Sequence, residues 1–330
     1  MRDGPLEANP CVTADLSVST RLFHCLLCLP CLLPGNLGAR PLVTVDGSSS
    51  VYPITEAAAE DFQNLRRRTI WVTVGISGTG GGFRKFCRGE IDIVDASRPV
   101  TDEEARRCHA NGIDFFELPI ALDALAVVVA HDNPLGEIGV AELRRIWEPA
   151  AQGRIMSWRE LGKGLPDRPL ALYGPGSDSG TFEYFTAAIV GRARASRGDY
   201  TASEDDNLLV TGVAADPSAL GYFGLAYYLR NADRVRALAV RPPAGGDAIL
   251  PTPDNVRAGR YQPLTRRLFI YVKQDAARRQ AVRDFVDFYL EHAAELVDEA
   301  RYVPLDADHY RLLRARFRAQ SIPAGDGGGR

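Results

Sequence analysis

The chain has 330 residues, 45% hydrophobic and 25% charged, with 39 basic and 42 acidic side chains that leave a net charge of −3. Such a chain reads as soluble and globular, with the length of one large or two medium domains. The two signs of charge are mixed along it, so no basic stripe argues for nucleic acid.

Residues 1–40 differ from the rest. Arg21 precedes an apolar run over 22–33 (LFHCLLCLPCLL), and Pro34, Gly35, Gly38 and Ala39 follow it. This is the pattern of a secretory signal, with a charged start, a short apolar stretch and a small-residue cleavage zone. The run is too short for a transmembrane helix. The stretch before Arg21 carries Asp3, Glu7 and Asp15, which a wrongly assigned start codon would explain. The reading places the protein in the periplasm or otherwise outside the cytoplasm, with anchoring through the N-terminal segment as an alternative. Four of the six cysteines (Cys11, Cys25, Cys28, Cys31) lie in this leader. In a Leu-rich run without acidic partners they read as apolar filling rather than as metal ligands. Only Cys87 and Cys108 follow, and the residues leave a disulfide and two free buried thiols equally open.

From Pro41 the pattern alternates strands and helices. A strand is expected over 42–45, then a helix over 53–67 with Ile54, Ala58, Phe62 and Leu65 on one face. A strand over 70–74, a glycine-rich turn, a helix over 83–88 and a strand over 91–95 come next. Apolar runs cover 115–120 and 125–130. A strand over 170–173 precedes a helix over 182–189, and a strand over 268–272 precedes a long helix over 276–295. The tail over 323–330 (PAGDGGGR) reads as disordered. The alternation predicts an α/β architecture with largely parallel sheets.

Three segments share one design: a strand, then a turn of Ser, Gly and Thr, then a helix. They are DGSSSVYP from Asp46, GISGTGGG from Gly75 and YGPGSDSGT from Tyr173. Hydroxyls and free N–H groups at a helix start suit an anion, and glycines let the backbone come close to it. Each turn alone is also an ordinary N-cap. Three of them at the carboxyl ends of strands, where open α/β sheets collect ligands, point to a shared site. A fourth segment, DASRP from Asp95, adds the Ser97 hydroxyl and the Arg98 guanidinium, whose planar fork suits a tetrahedral oxyanion. The Gly75 loop lacks the Lys-Ser/Thr of a P-loop. Asp178 stands where a GxSxG elbow needs serine. The five histidines are scattered. The residues therefore predict no enzyme, no cofactor and no metal.

Taken together, four motifs resemble the periplasmic phosphate-binding proteins of phosphate ABC transporters, the PstS family in its SphX-like branch. They are GSSSVYPITEAAAEDF (47–62), GISGTGGGF (75–83), DASRP (95–99) and YGPGSDSGTFEYF (173–185). SALGYFGLAYY (218–228) and PLTRRLFIYV (263–272) also look like that family, and the likeness spans about 42–313. It implies a two-lobed, type II periplasmic-binding-protein fold with a hinge and a ligand cleft between the lobes. One lobe would comprise 41–122 and 263–322, the other 123–262, with the chain crossing near Asp123 and returning near Pro263. Carried over by motif, inorganic phosphate would meet Ser49, Ser50 and Val51, then Ser77, Gly78 and Thr79, and from the second lobe Ser179, Gly180 and Thr181.

Two positions depart from the best-known branch. Pro175 stands where that branch has an arginine, and Ser97 where it has an aspartate. Arg98 is the expected replacement for the lost charge, and Asp95 the candidate acceptor for a phosphate proton or the partner of Arg98. The implied role is delivery of phosphate by a monomer to membrane permease subunits. The alternatives are another tetrahedral oxyanion, sulfate or molybdate, and a phosphate-handling hydrolase on the same scaffold.

Overall fold

Val43 and Val45 fall on the same face of a strand and are both buried, the period-2 signature of a strand with one face in a core. The computed structural model describes residues 40–162, 167–177, 179–203 and 205–321; the expectations for the leader and for the glycine-rich tail lie outside these residues. In chain order, β1 (Leu42–Gly47) leads into α1 (Tyr52–Leu65), β2 (Trp71–Ile76) into α2 (Thr79–Phe86) and β3 (Ile93–Ala96) into α3 (Asp102–Ala110). There follow β4 (Phe115–Val129), β5 (Glu137–Gly139), α4 (Val140–Trp147), β6 (Ala171–Gly174) and α5 (Gly180–Phe185). The chain continues through β7 (Thr201–Ala202), α6 (Asp206–Ala215), β8 (Ala219–Gly224), α7 (Leu225–Arg230), β9 (Arg236–Ala237) and β10 (Ala239–Arg241). It ends with α8 (Pro253–Arg257), β11 (Thr265–Lys273), α9 (Gln274–Ala277), α10 (Gln280–Glu299) and α11 (Ala307–Ser321).

The main sheet runs β2-β1-β3-β11-β4-β8-β6-β7, with β9 also pairing with β4. Both wings are parallel, β1 with β2 and β3, and β6 with β7 and β8. The centre is antiparallel, because β11 comes back between β3 and β4 and β8 pairs antiparallel with β4. The expected parallel sheet thus holds in the wings and gives way in the middle. The two apolar runs over 115–120 and 125–130 are one continuous strand of 15 residues, not two. Up to Ala124 it pairs with β11; from Leu125 it pairs with β8. The chain therefore passes from one half of the molecule to the other inside a hydrogen-bonded strand.

Each half has its own core. In the first half, α1 and α10 cover one face of the sheet, where Ile54, Phe62, Ile93, Ile270, Phe285 and Tyr289 pack together. The aromatic rings of Phe62 and Phe285 meet edge to face at 5.5 Å. The opposite face holds Phe83, Phe86, Val94, Phe269 and Tyr271. In the second half Trp147, Phe185 and Tyr222 cluster beneath the buried end of β4, Phe185 and Tyr222 stacking at 3.6 Å. Two expectations shift. Leu65 is 66% exposed rather than buried, because α1 stops directly after it and the chain turns through positive φ at Arg67 and Arg68. The helix expected over 182–189 is α5 followed by a π turn over Thr186–Val190; such turns recur beside functional sites.

Cys87 and Cys108 form a disulfide, which closes the alternative the sequence leaves open and ties the end of α2 to α3. The bridged residues are 21 apart in sequence, and cross-linking a loop of that length removes unfolded-state entropy worth about 3 kcal/mol. The Cys87→Ala/Cys108→Ala variant is expected to lose about that much in urea unfolding. A variant as stable as the oxidised protein would contradict it.

Candidate functional site

Because β1, β2 and β3 are parallel, the turns that follow them share one edge of the sheet. Gly47 is where they meet. Its φ is +148°, and a Cβ there would lie 2.1 Å from the Asp95 carbonyl oxygen, so only glycine fits. The Gly47 carbonyl accepts the Ser77 N–H at 3.1 Å and the Gly78 N–H at 2.8 Å, while the Ser48 N–H donates to the Asp95 carbonyl at 3.0 Å. Three turns from three strands are fastened around one residue.

Side chains then lock each turn. The buried Ser48 hydroxyl accepts the Ser50 N–H at 3.2 Å. Ser77 donates its hydroxyl to Asp46 at 2.5 Å, and Lys85 donates to the other oxygen of that carboxylate. Burial would raise the Asp46 carboxyl, but the bonds from Lys85 and Ser77 outweigh it and hold it below the ordinary carboxylate range. Thr79 and Ser97 pair through their hydroxyls at 3.2 Å, and the Ser97 N–H donates to the Thr79 hydroxyl at 3.1 Å. The first-turn N–H groups of α2 have no acceptor within their own helix. They lie at its positive end.

The second half brings α5 to this edge. Ser179 caps it, its hydroxyl accepting the Thr181 N–H at 3.1 Å. Gly180 comes so close to the first half that a Cβ on it would lie 2.7 Å from the Ser50 hydroxyl. Between the halves lies a cavity of about 1060 Å³. Of the residues expected from sequence, Ser49, Ser50, Ser77, Gly78, Thr79, Ser97, Arg98 and Gly180 line it. Val51 stands behind this lining, fully buried, with its N–H donated to the Ser48 carbonyl at 3.1 Å. Ser179 and Thr181 flank Gly180 and are half-buried.

The charges are arranged differently from expectation. Arg98 pairs with Glu104, not Asp95: its two terminal nitrogens donate to the two carboxylate oxygens at 2.8 and 2.9 Å, and its plane lies over the Phe83 ring. Burial works against ionised Glu104, yet Arg98 and Thr101 hold its carboxyl below the usual range. Thr101 and Glu104 form the capping box of α3, a signal readable in sequence, though the second duty of Glu104 toward Arg98 is not. Sequence reasoning also missed Arg266 and Tyr184, which line the cavity. Arg266 lies within the PLTRRLFIYV motif, and that was its only signal.

Comparison with known proteins places the chain in a family. A model of the PBP superfamily domain matches residues 34–292. Protein SphX of Synechococcus elongatus is 50% identical over 280 residues, covering 85% of this chain and 82% of that protein. The phosphate-binding protein PstS of Staphylococcus saprophyticus is 32% identical over 276 residues, covering 82% and 83%. Among solved structures, a possible phosphate binding protein from Planctomyces limnophilus superposes with a TM-score of 0.79 at 40% identity, covering 84% of this chain and 98% of that one. An ABC-type phosphate transport receptor from Vibrio cholerae gives 0.63 at 25% identity, covering 79% and 99%.

Asp95 shares the strand face of Ile93 and turns away from the cavity toward α1 and α10. One carboxylate oxygen accepts the Thr55 hydroxyl at 3.0 Å, and that hydroxyl lies 3.0 Å from Tyr289. The other oxygen has no hydrogen-bond partner among the described residues. Burial, opposed by the Thr55 bond and reinforced by the nearby Asp46 charge, pushes the carboxyl up to about 8. The folded protein therefore keeps this proton where the unfolded chain releases it. Its contribution to stability is complete below about pH 4 and is lost as pH rises through about 8. Urea unfolding should show the wild type losing stability relative to Asp95→Asn between about pH 5 and pH 8.5. A difference that is flat or grows with pH would show that Asp95 is ionised in the fold.

Proposed function

We propose, for a chain that belongs to the SphX and PstS family of the PBP superfamily, that the cleft binds inorganic phosphate outside the cytoplasmic membrane and delivers it to an ABC permease. The observation that carries this reading is the convergence of the Ser49–Ser50 turn, the Ser77–Thr79 turn and Ser97 around Gly47, with Gly180 facing them. Hydroxyls and first-turn N–H groups surround a tetrahedral anion without needing a metal. Among the described residues no three His, Cys, Asp or Glu side chains come together to hold one.

Phosphate would be held by Ser49, Ser50, Ser77, Gly78, Thr79 and Ser97 from the first lobe and by Ser179, Gly180 and Thr181 from the second, with Val51 closing the first turn and Arg98 adding positive field. The lobes are 41–122 with 263–322, and 123–262, and binding closes them as a monomer. The Cys87–Cys108 bridge supports an oxidising compartment. No helix among the described residues is long and apolar enough to cross a membrane.

The orientation of Asp95 favours a second reading. A site that rejects sulfate does so by offering a buried acceptor to the phosphate proton, and the Asp95 carboxyl is engaged by Thr55 instead. Sulfate or molybdate is therefore the competing ligand. Isothermal titration of the oxidised protein should give tight phosphate binding that survives excess sulfate. Equal heats for the two anions would favour the second reading, and no phosphate heat would end the first. Gly180→Val should weaken phosphate binding about tenfold or more, since its Cβ strikes Ser50 as the lobes close; unchanged affinity would place the anion away from this contact.

A further inference from the structure

We propose that Arg266, at the crossing between the halves, is the charged ligand of the anion and couples anion binding to closure; this rests on the cleft being an anion site. Arg98 is the obvious cation, but both of its terminal nitrogens are taken by Glu104, one of them also donating to the Pro99 carbonyl. Its side chain is 41% exposed, so water screens what charge remains.

Arg266 differs on each count. Its side chain is 17% exposed and lines the cavity. Nε donates to Asp123 at 2.8 Å, and Nη2, itself 2.8 Å from the same carboxylate oxygen, donates to the Ser50 hydroxyl at 3.0 Å. Nη1 bonds to none of the described residues and keeps two donors for a ligand. Ser50 accepts from Arg266, so its own hydroxyl proton is left to point at an anion. A cation and a hydroxyl thereby present donors side by side.

The position of Arg266 joins binding to movement. It is the cross-strand partner of Asp123, one residue from where β4 exchanges β11 for β8. Its guanidinium lies 4.3 Å from the Tyr184 ring centre on α5, a cation–π contact with the second half. The Tyr184 hydroxyl donates to the Pro263 carbonyl at 2.8 Å, just before β11. One guanidinium thus touches the anion turn of the first half, the crossing strand and the first helix of the second. An anion that draws on Arg266 pulls on all three. Among the described residues, Arg98, Arg194 and Arg267, which also line the cleft, lack this set of contacts.

The test compares phosphate affinity by isothermal titration for the wild type, Arg266→Gln, Arg266→Lys and Arg98→Gln, each checked for its fold without ligand. Losing a charge-assisted bond should cost Arg266→Gln about 10- to 100-fold in affinity, with Arg266→Lys recovering part of it and Arg98→Gln losing about fivefold or less. Arg266→Gln at wild-type affinity, or Arg98→Gln losing more than Arg266→Gln, would overturn the proposal. Should Arg266→Gln fail to fold because Asp123 is left unpaired, Arg266→Met/Asp123→Leu removes the buried pair together. Loss of phosphate binding in that folded variant supports the assignment, and retained binding overturns it. A wild type that binds no phosphate would instead refute the underlying reading of the cleft.

Discussion

Everything at the carboxyl edge of the first half hangs on the close approach at Gly47. Its carbonyl collects two N–H groups from the turn after β2, its neighbour Ser48 donates to the end of β3, and a Cβ has no room there. Without that approach the turns would still be individual helix caps, each satisfying its own helix. With it they become one concave surface of fixed shape, and a ligand meets donors whose orientation was settled by folding rather than by binding. Pre-organisation of this kind avoids the ordering cost that flexible donors would bring.

The charge arrangement follows from the same economy of space. Three of the four arginines that line the cleft are matched to carboxylates: Arg98 to Glu104, Arg194 to Glu183 and Arg266 to Asp123; Arg267 is the fourth. What separates the arginines is geometry. Arg98 spends both terminal nitrogens on the two oxygens of Glu104, whereas Arg266 turns Nε and Nη2 toward one oxygen of Asp123 and leaves Nη1 to give. Burial favours the protonated form of Asp95, which faces Thr55 on α1 rather than the cavity.

Much of this was legible in the residues. The Ser/Gly/Thr turns announced themselves through N-cap chemistry, and the alternation of Val43 with Val45 and of Ile54 with Ala58 and Phe62 set the first half. The direction of Asp95 was also readable, because Ile93 two positions earlier is a core residue and strand side chains repeat every second position. The partner of Arg98 was hidden in a capping box that already explained Glu104. The pairing of Arg266 with Asp123 spans 143 residues, and only the return of β11 beside β4 creates it. The merging of two apolar runs into one strand was equally hidden, since the aspartate between them looks like an interruption until its arginine is in place.

That uninterrupted strand has a mechanical meaning. Many two-lobed molecules swing on short loops, where a few freely rotating bonds absorb the motion. Here β4 passes from partner β11 to partner β8 without leaving the ladder. Any rotation of one half against the other must therefore be shared as twist over several hydrogen-bonded residues, more like a torsion bar than a door hinge. A ladder of this kind leaves few freely rotating bonds at the crossing and resists sideways displacement of the halves.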